Sequence, residues 1–120
     1  MTNLPRVPLY SLGLGYGKKQ DGSLLYSWPY SVEYSPEYRA DEFLIAEGDG
    51  RNGNGSFFTA AQVLEPQWHR HLELTETLWL VPLLERMSRH EPVSPRDILD
   101  LYEQIYGKPP ESRLWAPWKE

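Results

Sequence analysis

The chain has 120 residues, which is the length of one domain, with a formal net charge of −5 and no cysteine. The missing thiols exclude a disulfide framework, a thiolate zinc site and a cysteine nucleophile. No apolar run is long enough to span a membrane, and the acidic balance disfavours non-specific nucleic-acid binding. Aromatic residues make up 13% of the chain, which favours a packed core over disorder. We therefore expect a soluble cytoplasmic protein that binds neither nucleic acid nor membranes.

The first third of the chain is predicted to form a β-hairpin over residues 8–34. Every even position from Leu24 to Tyr34 is apolar, and a period of two is typical of a strand with one buried face. The stretch from Pro8 to Tyr16 alternates in the same way. Between the two runs, Asp21-Gly22 is a strong hairpin-turn signal.

Two hairpin registers are compatible with this turn. A three-residue loop, Gln20-Asp21-Gly22, places both apolar sets on one face and is the register we expect. It gives the pairs Tyr16 with Tyr26, Leu14 with Trp28 and Leu12 with Tyr30. A two-residue loop would instead pair Gly17 with Tyr26 and Gly15 with Trp28. Pro29 lacks a donor N–H, which indicates an edge position or a bulge for the second strand.

The middle of the chain contains signals for a helix, a loop and a short strand. Ser35-Pro36-Glu37 is a typical helix start and Gly48 a typical end, so we expect a helix over 36–47. The glycine-rich stretch 48–55 is predicted to be a loop. Ser56-Phe57-Phe58 is predicted to form a short third strand.

Three helices are predicted in the second half, over residues 60–65, 67–89 and 95–106. Thr59 and Gln62 form a capping box at the first of them, and Pro82 is expected to kink or divide the second. The tail, 111–120, holds two tryptophans and has no periodic pattern. The predicted fold class is therefore α+β, with a small N-terminal antiparallel sheet packed against three to four helices.

No pattern in the chain predicts a catalytic or cofactor site. Gly13, Gly15 and Gly17 fit neither the dinucleotide-binding fingerprint nor the phosphate-binding loop. Alternate glycines are more typical of a strand face that another backbone approaches closely. His69 and His71 lie two residues apart, so on a helix they point in different directions and cannot share a metal ion.

A calcium site in the glycine-rich loop is also disfavoured. Asp49, Asn52 and Asn54 offer oxygen ligands, but Arg51 and Gly53 occupy the alternate positions that a calcium-binding loop uses. We therefore predict no metal site.

Two groups of residues remain as candidates for binding. Trp115 and Trp118 in the tail either pack on the domain or form an interaction surface, because tryptophan is enriched where proteins meet. The Lys18-Lys19 pair is a candidate contact for an anionic ligand.

The order of the motifs suggests a family. The motifs are Ser11-Leu12-Gly13-Leu14-Gly15-Tyr16-Gly17, Asp21-Gly22, Phe57-Phe58-Thr59-Ala60-Ala61-Gln62, Pro82-Leu83-Leu84, Ser94-Pro95 and Gly107-Lys108-Pro109. Over residues 8–110 this order resembles the small N-terminal domain of one branch of tetrahydrodipicolinate N-succinyltransferases, enzymes of lysine biosynthesis. In that family a trimeric left-handed β-helix of hexapeptide repeats follows and binds the substrates. This chain contains no such repeat, so the resemblance implies no catalytic residue in it.

Three functions are consistent with these observations. The first is a non-catalytic domain that acts through protein contacts or self-association, with the open edge of the hairpin and the tail tryptophans as its surfaces. The second is a ligand-binding protein or small enzyme with a pocket between hairpin and helices, which Trp28 and Tyr30 facing an open polar cavity would favour. The third is a regulatory or phage-type adaptor.

Overall fold

A computed structural model describes residues 7–15, 21–23, 30–47 and 55–115 and confirms the α+β class. Five antiparallel strands form one sheet in the order β4-β3-β2-β1-β5. The strands are β1 (Val7–Gly15), β2 (Tyr30–Tyr34), β3 (Glu42–Glu47), β4 (Gly55–Thr59) and β5 (Glu111–Trp115). The helices are α1 (Ala60–Val63), α2 (Pro66–Leu74), α3 (Val81–Ser88) and α4 (Pro95–Tyr106), with a 3₁₀ turn at Leu78–Leu80.

Both predicted hairpin registers are wrong. Gly15 pairs with Tyr30 and Leu14 with Ser31, and the register shifts at a bulge between Ser11 and Gly13. Leu12, in the bulge, is buried, while Leu14 is 51% exposed, so the two leucines do not share the buried face. The other partners of the predicted pairs, Tyr16, Gly17, Tyr26 and Trp28, lie outside the described residues.

The predicted helix over 36–47 is also wrong. Its start signal produces only a turn, in which the Tyr38 and Arg39 N–H groups donate to the Ser35 carbonyl. The following residues form β3, between β2 and β4. Consecutive residues of β3 are buried on alternate faces of the sheet, so its sequence shows a continuous apolar run instead of the alternation of a half-buried strand. Because β2 is therefore an interior strand, the edge position inferred from Pro29 is wrong; Pro29 itself lies outside the described residues.

Most of the downstream elements follow their local signals. The short strand at 56–58 is confirmed within β4, and the Thr59–Gln62 capping box opens α1. At α4, Ser94 accepts from the Asp97 N–H while the Asp97 side chain accepts from the Ser94 N–H, and Gly107 ends the helix in the left-handed conformation.

The predicted long helix over 67–89 is divided, but not at Pro82. It ends at Leu74, where the Thr75 hydroxyl donates to the carbonyls of His71 and Leu72 and Glu76 adopts a positive φ of 58°. A left-handed residue after the last helical turn is a common helix end. Pro82 lies in the first turn of α3, where proline is tolerated because that N–H has no intrahelical partner.

The tail is not irregular throughout. Residues 111–115 form β5, which pairs with β1 from Ser11 back to Val7. The open hairpin edge predicted as an interaction surface is therefore covered along Val7–Ser11. A local pattern could not show this, because the partner strand lies about a hundred residues away in the sequence.

The helices cover one face of the sheet and form the main core with it. Tyr34 stacks on Phe43 with ring centroids 4.9 Å apart, and Ile98 of α4 is buried in the same cluster. The opposite face has a smaller cluster around Leu9 and Leu44. No helix in the described part of the chain combines the length and apolar character needed to cross a bilayer.

Two glycines of β1 allow the sheet to meet the end of α2. A Cβ atom on Gly15 would overlap the Leu74 carbonyl oxygen, and one on Gly13 would overlap the Thr75 carbonyl and the Thr77 methyl group. The predicted close backbone approach is therefore confirmed for these two positions.

We expect Gly15→Ala to lower the free energy of unfolding by about 3 kcal/mol, since the methyl group must displace backbone atoms. Gly107→Ala is the matched control, because a Cβ there meets open space and only the positive φ of 74° is unfavourable, costing about 1 kcal/mol. Equilibrium urea unfolding measures both. Equal losses would contradict the close approach.

Candidate functional site

A groove of about 230 Å³ lies where β1, the turn after α2 and the end of α4 meet. Residues 11–14 of β1 form one side, and Tyr102 and Tyr106 of α4 form the other. Glu76, Lys108 and Glu111 also line it, so it carries two negative charges and one positive charge. We call it the Tyr106 groove.

Three aromatic rings support the α4 side of the groove. Tyr102 and Tyr106, one helical turn apart, have centroids 4.4 Å apart, and both contact the edge or face of Trp79 in T-shaped geometry. The Tyr106 hydroxyl donates to the Glu76 carbonyl and accepts from Trp79 Nε1, each at 3.2 Å. Burial, with smaller effects of Tyr106 and Glu111, raises the pKa of the Tyr102 hydroxyl, so that hydroxyl stays neutral at physiological pH.

The described residues include four exposed large apolar side chains, Leu14, Leu78, Ile105 and Tyr106, each at least 40% exposed. Leu14 and Tyr106 line the groove. Ile105 precedes Tyr106 on α4 and Leu78 comes two residues after Glu76, so both are close in sequence to residues that line it. Single exposed apolar residues are ordinary, but a group of them indicates a contact surface.

An unpaired strand edge runs beside the same groove. Strand β5 pairs with β1 only from Val7 to Ser11, so on that side no described strand pairs with residues 12–15. In a strand, alternate residues direct their N–H and C=O groups to each side. Such an edge is a template for pairing with another chain.

A second cavity, of about 280 Å³, lies between the sheet and α2. Ile45 and Ser56, which pair across β3 and β4, both line it. Tyr30 and Phe58 stand on the flanking strands, and Trp68 and His71 of α2 complete the lining with Ala46. We call it the His71 cavity.

Ring contacts connect the walls of the His71 cavity. The centroids of Phe58 and Trp68 are 4.7 Å apart, those of Trp68 and His71 5.9 Å, and those of His71 and Tyr30 5.0 Å. His71 Nε2 lies 3.2 Å from the Ser31 carbonyl oxygen, which orients the imidazole. No lysine or arginine of the described residues lines this cavity.

The Tyr106 groove was not predicted, whereas the His71 cavity lies between β2 and α2, where the ligand-binding alternative expects a pocket between hairpin and helices. Most of the predicted candidate residues lie elsewhere. Trp115 is the last residue of β5, where its backbone pairs with Val7. The remaining candidate residues lie outside the described part of the chain. They are Lys18, Lys19, Trp28, the loop residues Asp49, Asn52 and Asn54, and Trp118. Tyr30 does line a cavity, as the ligand-binding hypothesis required.

The histidine pair also separates as expected. His69 is exposed, whereas His71 is half-buried and lines the cavity. Across the described parts of the chain, no group of three or more His, Asp or Glu residues could hold a metal ion. Tyr102 and Tyr106 lie one helical turn apart, and this spacing is the sequence signal that points to the groove. Buried residues of a helix have the same spacing, so the signal does not distinguish a groove from a core.

We expect Tyr106→Phe to lower the free energy of unfolding by about 1 kcal/mol, because the hydroxyl makes two hydrogen bonds that phenylalanine cannot make. The Trp79 indole N–H resonance should move at the same time. Tyr102→Phe is the matched control and should leave both unchanged, since no hydrogen bond of its hydroxyl is found among the described residues. Urea unfolding and ¹H–¹⁵N spectra test this, and equal losses in the two variants would refute it.

Comparison with known proteins adds no relative to this picture. No protein-family model matches the chain, and no match is found among curated proteins or among solved structures. The resemblance to the N-terminal domain of tetrahydrodipicolinate N-succinyltransferases therefore stays a prediction.

Proposed function

We propose that this chain is a non-catalytic interaction domain that associates with a second copy of itself through the Tyr106 groove and the adjoining edge of β1. The observation that carries the proposal is the coincidence of two features. Two exposed large apolar side chains, Leu14 and Tyr106, line this groove, and the part of β1 that β5 leaves unpaired runs beside it.

Burial of the apolar side chains supplies the attraction. Fully burying an exposed leucine or isoleucine contributes about 1.5–3 kcal/mol, and Leu14 and Ile105 are each about half exposed. Removing four such half-exposed groups from water would therefore stabilise a complex by about 4 kcal/mol before the cost of association. Because association itself costs about 4 kcal/mol or more, backbone hydrogen bonds between the paired strand edges must supply the rest, and we expect a weak, concentration-dependent dimer.

The strand edge supplies the geometry. Two identical edges can pair antiparallel about a twofold axis, because antiparallel pairing relates each strand to the other by the same rotation. Lys108 lines the same groove and gives each copy one cation that can pair with the groove carboxylates of its partner, Glu76 and Glu111. The exposed apolar side chains, the strand edge and the charged residues of this surface all take part in the proposed dimer.

The other candidate functions have less support. The anionic-ligand hypothesis depends on Lys18 and Lys19, which lie outside the described residues. The adaptor hypothesis has no particular residue in its favour. A cytoplasmic location and the absence of a nucleic-acid partner belong to the proposal as well, supported by the missing cysteines and the net charge of −5. The resemblance to the succinyltransferase domain is consistent with a role that involves no catalytic residue.

Sedimentation velocity over a concentration series from micromolar to millimolar tests the proposal. We expect the weight-average sedimentation coefficient to rise toward that of a dimer, and the double variant Leu14→Asp, Ile105→Asp to remain monomeric. Both replaced side chains are exposed in the monomer, so the fold should survive, as circular dichroism would verify.

Gln104→Asp provides the control. It adds one negative charge to the same helix at an exposed position that does not line the groove, and it should dimerise like the unmodified chain. A monomer at every concentration, or an equal loss of dimer in Gln104→Asp, would show that the groove is not a self-association surface.

A further inference from the structure

We infer that the His71 cavity is a binding site for a small, neutral, planar aromatic molecule. The inference does not depend on the proposed self-association, because the cavity and the Tyr106 groove share no lining residue. Its basis is the combination of an aromatic lining, a few hydrogen-bonding side-chain groups and an open side at the edge of the sheet.

The aromatic lining is continuous from one side of the cavity to the other. Phe58, Trp68, His71 and Tyr30 follow one another in ring contact, with interplanar angles of 53°, 83° and 69°. Rings tilted in this way present both faces and edges, which are the surfaces that a further aromatic ring packs against in stacked or T-shaped geometry. Tyr30 and Phe58 stand on β2 and β4, so at least two strand spacings, about 10 Å, separate their backbones.

Charge selects a neutral guest. No lysine, arginine, aspartate or glutamate of the described residues lines the cavity, so no permanent charge described there would balance a phosphate or a carboxylate. Aromatic linings also bind quaternary ammonium ions, but no described carboxylate lines this cavity to balance such a cation. A neutral ring needs neither a cation nor an anion in the lining.

The polar groups and the size of the cavity narrow the class further. Four side chains of the lining carry hydrogen-bonding groups suited to a substituent on the ring: Tyr30, Ser56, Trp68 and His71. A volume of about 280 Å³ is at the lower end for ligand pockets, which suits a molecule of one or two rings. A phenol or an indole has this size and one donor group.

Access is available from the edge of the sheet. Ser56 is exposed and lies on β4, which is an edge strand, so the cavity opens there. Trp68 can adapt to a guest, because its Nε1 donates no hydrogen bond to any described residue and packing alone holds its ring. The buried, unpaired N–H is an unfavourable feature that a small movement of the ring on binding could relieve.

Titrations of the intact chain followed by ¹H–¹⁵N spectra test the inference with phenol and indole as probes. We expect saturable binding, with the largest shifts at Trp68 and at the backbone of residues 56–58. Cyclohexanol, which has the same ring size and hydroxyl as phenol but is not planar, should bind at least about tenfold more weakly. Tetramethylammonium should not bind.

Two variants, each of which introduces a phenyl ring, test whether the ligand binds in this cavity or on another surface. Ser56→Phe fills the cavity from its open side and should abolish binding. Gln67→Phe places a phenyl group on α2 at an exposed position outside the lining and should bind as before. Thermal unfolding verifies that both variants are folded.

Each other outcome would overturn the inference. Absence of saturable binding of phenol and indole would show that the cavity is not such a site. Unchanged binding in Ser56→Phe would place the ligand elsewhere. Equal affinity for cyclohexanol, or preference for tetramethylammonium, would show that the aromatic class is wrong.

Discussion

The architecture depends on the contact between the glycines of β1 and the end of α2. Since neither Gly13 nor Gly15 has a Cβ atom, the carbonyls of Leu74 and Thr75 can lie directly against the strand. This contact holds the left-handed turn at Glu76 beside β1, and the Tyr106 hydroxyl then bonds to the carbonyl of that turn. The groove is the space that remains between the strand, the turn and α4.

Helix α2 links the two concavities because it crosses the sheet. Near its start, Trp68 packs on Phe58 of β4; in its middle, His71 contacts Tyr30 of β2; at its end, Leu74 meets Gly15 of β1. The His71 cavity therefore lies beside the first part of α2, and the Tyr106 groove lies just beyond its end. A shift of α2 along the sheet would alter both, although they share no lining residue.

The central strands bury side chains on both faces of the sheet. Phe43 and Ile45 of β3 point into the main core, while Leu44 and Ala46 point into the second cluster. The polar residues Ser31 and Glu33 of β2 are fully buried as well. The Tyr34 hydroxyl donates to the Ala40 carbonyl at 2.6 Å, and burial raises its pKa far above the ordinary value, so the phenol remains a neutral donor. The core thus contains polar groups that restrict how the strands can align.

The sequence by itself determined the features that depend on neighbouring residues. The capping boxes at Thr59 and Ser94, the left-handed end at Gly107 and the need for a close approach at the β1 glycines are all encoded within a few positions. The caps satisfy backbone groups with nearby side chains, Gly107 adopts a conformation that glycine tolerates without strain, and Gly13 and Gly15 leave room because they have no Cβ atom.

Only the tertiary structure decided the features that depend on distant partners. The segment at 42–47 became a strand because β2 and β4 flank it, and the tail became β5 because β1 offered an edge. The hairpin register depended on which residues of β1 fit beneath α2. The His71 cavity and the Tyr106 groove are each formed by side chains from elements that are far apart in the sequence. Local patterns contain no information on such pairings, because the hydrogen bonds and apolar contacts that select them form only when the chain has folded.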